Sequence, residues 1–120
     1  MDKKRLAESD FRFMSIVWER EPVGSTELAR LCLERLGWKK STTYTMIKKM
    51  CEKGFAQSEN AVVTSRVKKS EVQAEESRHF VEQTFSGSLP GFLVSFLGDK
   101  KISKEEALEL KRLIDEHKED

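Results

Sequence analysis

Apolar residues along this chain recur at the three- and four-residue steps of a helix in six separate stretches, with one β-prone interruption. In the first, 9–20, Phe11, Met14 and Trp18 share a face, with Phe13 and Val17 beside them; Ser9 or Asp10 suits the N-cap and Pro22 ends the helix. The second starts after Gly24 with Ser25 as N-cap, buries Leu28, Leu31, Cys32 and Leu36, and stops at Gly37. The third, 42–53, has Ser41 or Thr42 as N-cap and Gly54 as its left-handed terminator. Tyr44, Ile47 and Cys51 with Met46 and Met50 make its apolar side, while Thr42, Thr45 and Lys49 fall on another face. Two short β-prone runs follow, 55–58 and 61–67, with Glu59-Asn60 as the turn between them. A mostly polar helix then runs from 69 or 70 to 85, carrying Val72, Phe80, Val81 and Phe85, and breaks at Gly87. Leu89, Phe92, Leu93, Phe96 and Leu97 form the fifth stripe. The last helix opens with the capping box Ser103-Lys104-Glu105-Glu106 and shows Ala107, Leu110, Leu113 and Ile114 on one face.

Two helices, a short turn, a third helix with a polar side and then a hairpin make a winged helix-turn-helix. The expected fold is mainly α with a small β-hairpin: a winged-helix DNA-binding domain over 1–68 and a helical dimerisation region over 69–120. The second region has strong stripes but no independent core, and about fifty residues rarely stand alone without a metal, a disulfide or a partner chain. A second copy covering Leu89, Phe92, Leu93, Phe96, Leu97, Leu110, Leu113 and Ile114 is the economical solution. The alternative is an arm folded back on its own N-terminal unit.

Composition narrows the class. Charged residues are 36% and hydrophobic ones 38% of the 120, the balance of a globular, well-solvated chain. The apolar-rich run 89–97 is too short to cross a bilayer, and Met1-Asp2-Lys3-Lys4-Arg5 is not followed by an apolar core, so neither membrane insertion nor a signal peptide is expected. Cys32 and Cys51 lie far apart, which suits free thiols in the cytoplasm. The net charge of +1 conceals one basic segment, 39–54, where Lys39, Lys40, Lys48, Lys49 and Lys53 face only Glu52. That concentration on the third helix favours a phosphate-rich partner, double-stranded DNA.

The candidate contacts follow from helix geometry in a major groove. Lys39 and Lys40 precede the positive end of the helix and suit phosphates or a guanine edge; Ser41 and Thr42 suit positioning bonds to the backbone. Thr43 and Thr45 are candidate base readers, Thr43 having the alternative of facing the core. Lys48 and Lys49 suit phosphate, and Arg66 at the base of a wing with only Glu59 ionised at its tip could reach the backbone. Trp38 is expected to pack its turn against the core. No Gly-rich phosphate loop, HExxH or paired-carboxylate spacing appears, and His79 and His117 are remote from either cysteine, so no catalytic residue, metal or cofactor is expected. A winged-helix protein-interaction module without sequence-specific DNA binding is the alternative reading.

The order Trp18-Glu19, Pro22-Val23, Gly37-Trp38-Lys39-Lys40-Ser41-Thr42-Thr43, Lys53-Gly54, then Glu75-Glu76-Ser77 through Phe80 to Phe85-Ser86-Gly87-Ser88 and Ser103-Lys104-Glu105-Glu106 resembles the penicillinase-repressor family (BlaI, MecI and CopY) over about 9–115. The resemblance implies a cytoplasmic transcriptional repressor, a homodimer on a palindromic operator. Members in β-lactam resistance systems are inactivated by proteolysis, under a membrane sensor protease system, at an Asn-Phe bond. The corresponding pair here is Ser95-Phe96, a departure at the residue before the cut. The C-terminal cysteine cluster of copper-responsive members is absent, and the wing is shorter and less basic than the family's Gly-Arg wing.

Overall fold

The computed structural model describes residues 5–120; the opening 1–4, on which the no-leader expectation rests, lies outside the described residues. The elements in order are α1 (Glu8–Arg20), β1 (Val23–Gly24), α2 (Ser25–Leu36), α3 (Lys40–Glu52), β2 (Ala56–Glu59), β3 (Val62–Ser65), α4 (Lys69–Phe85), α5 (Leu89–Leu97) and α6 (Lys104–His117). They form two compact units that divide between Phe80 and Val81, inside α4. The sequence places its boundary earlier, at 68/69; Val72, in the first turn of α4, is fully buried with the N-terminal core.

The N-terminal unit is a three-helix layer closed by an antiparallel sheet in the order β1-β3-β2. Phe13, Met14 and Val17 of α1, Leu28, Leu31 and Cys32 of α2, Ile47 and Met50 of α3, and Phe55, Val63, Val67 and Val72 make one continuous core. Gly37 ends α2 at φ 72°, a left-handed turn that sends the chain into α3. Trp38 in that turn stacks on Phe13, centroids 6.1 Å apart, so it does pack against the core. The wing is tied down at both ends. The Trp18 indole N–H donates to the Val67 carbonyl at 3.0 Å, and the Glu21 carboxylate accepts from the Ser65 N–H at 2.7 Å and the Ser65 hydroxyl at 3.0 Å. The Ser25 N–H, the first of α2, donates to the Ala61 carbonyl at 2.8 Å.

Several local expectations change. The turn of the wing is Asn60-Ala61, not Glu59-Asn60: both residues have positive φ, 53° and 62°, while Glu59 pairs with Val62 in the ladder. Two consecutive left-handed residues are what a two-residue type I′ hairpin requires, because its twist matches that of the strands. The third strand, β1, pairs Val23 with Val63 and is too short for any pattern to announce it. No hydroxyl caps α1, α2 or α3: Ala7, Gly24 and Lys39 occupy the N-cap positions, none with a side-chain bond, and Ser25 is already the first residue inside α2. Asp10 lies too far inside α1 to cap it and is buried instead.

The C-terminal unit contains the end of α4, then α5 and α6. Ser88 Oγ accepts from the Gly91 N–H at 2.9 Å to start α5, and Ser103 Oγ accepts from the Glu106 N–H at 3.0 Å to start α6. Phe92 meets Phe85 edge-on and lies beside Phe96, centroids 5.6 Å apart in both pairs. No residue from Val81 onward is buried. The helices are well capped, but their apolar stripes are uncovered.

Candidate nucleic-acid interface

Helix α3 is set by its buried side. Thr43, Ile47 and Met50, at steps of four and three, face the core, and this stripe decides what looks outward. It is rotated from the stripe expected at Tyr44, Ile47 and Cys51. Tyr44 is on the surface, where the Lys40 ammonium sits 5.9 Å from its ring centroid. Hydrogen bonds with the Ser25 and Thr26 side chains hold the Tyr44 phenol below its usual range.

The outward face carries Ser41, Thr42, Thr45 and Lys48, all exposed, and Lys39 and Lys40 stand exposed at the helix start. These six of the nine sequence candidates share one surface around the N-terminal two turns of α3. Thr43 does not: it is 0% exposed, beside the Cys32 thiol, and faces the core. Burial pushes that thiol's pKa up, and the Thr43 hydroxyl works against the shift. Arg66 is exposed directly after β3, its backbone N–H donating to the Phe55 carbonyl at 2.8 Å. The wing tip itself shows Glu59, Asn60 and Ala61 to solvent, with no cation.

Lys49 has a partner that the sequence did not announce. Its ammonium lies 3.2 Å from Asp10 Oδ1, and that of Lys53 lies 3.7 Å from Oδ2. Asp10 is 1% exposed, whereas the two lysine side chains remain 47% and 44% exposed. A carboxylate withdrawn from water needs compensating charge, and these two lysines supply it. Two of the five lysines of the basic segment therefore tie α3 to α1. The signal was faint in sequence: an aspartate at the start of an otherwise apolar-faced helix, with its partners 39 and 43 positions away.

Beside the outward ridge is an open hollow of about 310 Å³ lined by Ser41, Thr42, Thr45, Met46 and Lys49. Met46 is half-buried, packed on the core from the edge of this surface. Among the described residues no group of three His, Cys, Asp or Glu side chains is placed to hold a metal, and no helix is long and apolar enough to cross a membrane.

In the C-terminal unit the expected contact residues stay open. Phe96 is 69% exposed, Leu89 and Ile114 are more than half exposed, Leu110 and Leu113 are exposed to a lesser degree, and Phe92, Leu93 and Leu97 are half-buried. The Ser95-Phe96 bond lies in the exposed final turn of α5.

A curated penicillinase repressor of Bacillus licheniformis is 22% identical over 118 residues, covering 95% of this chain and 92% of that protein. Residues 6–116 match the penicillinase repressor family, which spans the winged helix and all three C-terminal helices, and the chain belongs to that family of transcriptional repressors.

Proposed function

We propose that the protein represses transcription by binding a palindromic operator as a homodimer, with α3 in the major groove. The observation that carries this is the division of α3: Thr43, Ile47 and Met50 lock it to the core, and Ser41, Thr42, Thr45 and Lys48 are left outward with Lys39 and Lys40 at its positive end. Hydroxyls and cations around a helix N-terminus suit phosphate oxygens and base edges together. Thr45 and Lys48 lie on the ridge opposite the core and reach deepest; Lys39, Lys40 and Arg66 take phosphates. Lys49 contributes less than its charge suggests, because Asp10 holds it. The wing tip, which carries Glu59 and no cation, leaves α3 to carry most of the contact.

The homodimer is read from the C-terminal unit. Leu89, Phe96, Leu110, Leu113 and Ile114 are exposed apolar side chains on helices without a buried residue, and a symmetric second copy would remove them from water. A dimer would place two α3 helices at half-sites about one helical turn apart.

Footprinting on the promoter DNA flanking the gene, at several salt concentrations, tests this. Two protected half-sites and an affinity that falls steeply with salt are expected, with a shallower salt dependence for Lys39→Ala/Lys40→Ala. No protected site at low salt would favour a winged-helix protein-interaction module. A monomer in sedimentation at micromolar concentration would refute the dimer.

A further inference from the structure

The hollow beside the ridge of α3 says which base this helix prefers. Its walls are mostly carbon, from Met46 and the threonines Thr42 and Thr45. Its one cation, Lys49, is already held 3.2 Å from the buried Asp10 carboxylate. A free lysine there would call for a guanine edge or a phosphate. A lysine drawn toward a neighbouring carboxylate, next to a half-buried thioether, leaves a mostly apolar recess between polar residues. The feature of a major groove that matches such a recess is the C5-methyl of thymine, since the other base edges present donors and acceptors.

We infer that Met46, with Thr42 and Thr45, forms a thymine-methyl recess and is a specificity-determining residue of the operator contact. The inference rests on α3 being the reading helix and adds the base class it selects. Met46 touches the core on one side and lines the recess on the other, so its position is fixed by packing and the recess is preformed. Methionine also suits the task chemically: an unbranched, polarisable side chain fits a methyl without requiring a hydrogen bond.

The test uses the promoter duplex flanking the gene, with each thymine of the protected half-sites replaced in turn by deoxyuridine, which removes the methyl and nothing else. At one thymine per half-site the wild-type protein is expected to lose about fourfold in affinity per methyl, the worth of one buried methyl-sized group. Met46→Ala should bind the thymine and uracil duplexes alike, and Met46→Leu, of similar volume, should restore the difference. Thr45→Ser, which deletes only a methyl from the surface of the helix, should narrow it without touching the core. Equal wild-type affinity for every uracil duplex overturns the inference while leaving the operator reading intact. So does a uracil penalty that persists undiminished in both Met46→Ala and Thr45→Ser. Failure of the unsubstituted duplex to bind overturns the operator reading and this inference with it.

Discussion

Removing Lys49 and Lys53 together should harm the fold more than removing the aspartate they share. Asp10 is 1% exposed, with lysine ammoniums at 3.2 and 3.7 Å. At an effective dielectric of about 20 each attraction is worth roughly 4–5 kcal/mol gross, and the desolvation of the carboxylate offsets several of those. The net value of the triad is therefore small, but its parts are unequal. Lys49→Met/Lys53→Met leaves a charged carboxylate in the core with no counter-ion, and a loss of about 3–5 kcal/mol is expected. Asp10→Asn removes the buried charge and lets two half-exposed ammoniums return to water, for a loss of about 1–2 kcal/mol. The triple variant should recover about 2 kcal/mol relative to the lysine double, since nothing buried remains unpaired. Urea unfolding of the full chain, followed by Trp18 and Trp38 fluorescence at one fixed protein concentration, reads all four stabilities. If Asp10→Asn costs as much as the lysine double, or the triple recovers nothing, the carboxylate is not held by these lysines in the way described.

Other outcomes follow from single contacts. Ala61→Gly should stabilise the wing by about 1 kcal/mol, because Ala61 sits at φ 62° where a Cβ is crowded; an unchanged midpoint in thermal unfolding would refute the type I′ turn. Trp18→Phe should cost about 1 kcal/mol through the orphaned Val67 carbonyl, and hydrogen exchange at the base of the wing should quicken. The Glu19 carboxyl is held below its usual value of 4.5, first by its hydrogen bond to Arg35 and then by that to Arg20. Its contribution is present above the unfolded value and fades as pH falls through the lower folded one. NMR titration should therefore place its midpoint below 4.5, and Arg35→Gln should return it upward; a midpoint at or above 4.5 in the parent would refute the contact.

Much of this protein was legible in its pattern. Periodicity placed α5 at its observed bounds and α1, α2, α3 and α4 within a residue or two, since each buries one stripe and has a glycine or proline at an end. The winged helix and the basic concentration on α3 were equally visible, because both depend on residues close together in the chain. Family membership agrees with the resemblance carried by motifs spread from Trp18 to Glu106.

What failed to read from the chain were choices made by neighbours distant in sequence. Periodicity says that α3 has an apolar side but not its angle. The crossing with α2 selected Thr43 over Tyr44 for the core and so removed one candidate base reader. Strand pairing placed the wing turn at Asn60-Ala61, because the register that sets Val63 against both Val23 and Ser58 leaves those two residues outside the ladder. Burial of Asp10 took Lys49 and Lys53 from a face that composition alone would have counted as free charge. The sequence by itself determined which elements form and where positive charge gathers, since local spacing and propensity govern both. Only the tertiary structure decided which side of α3 meets solvent and which of its cations remain unengaged, because burial and ion pairing depend on residues some forty positions apart being packed together.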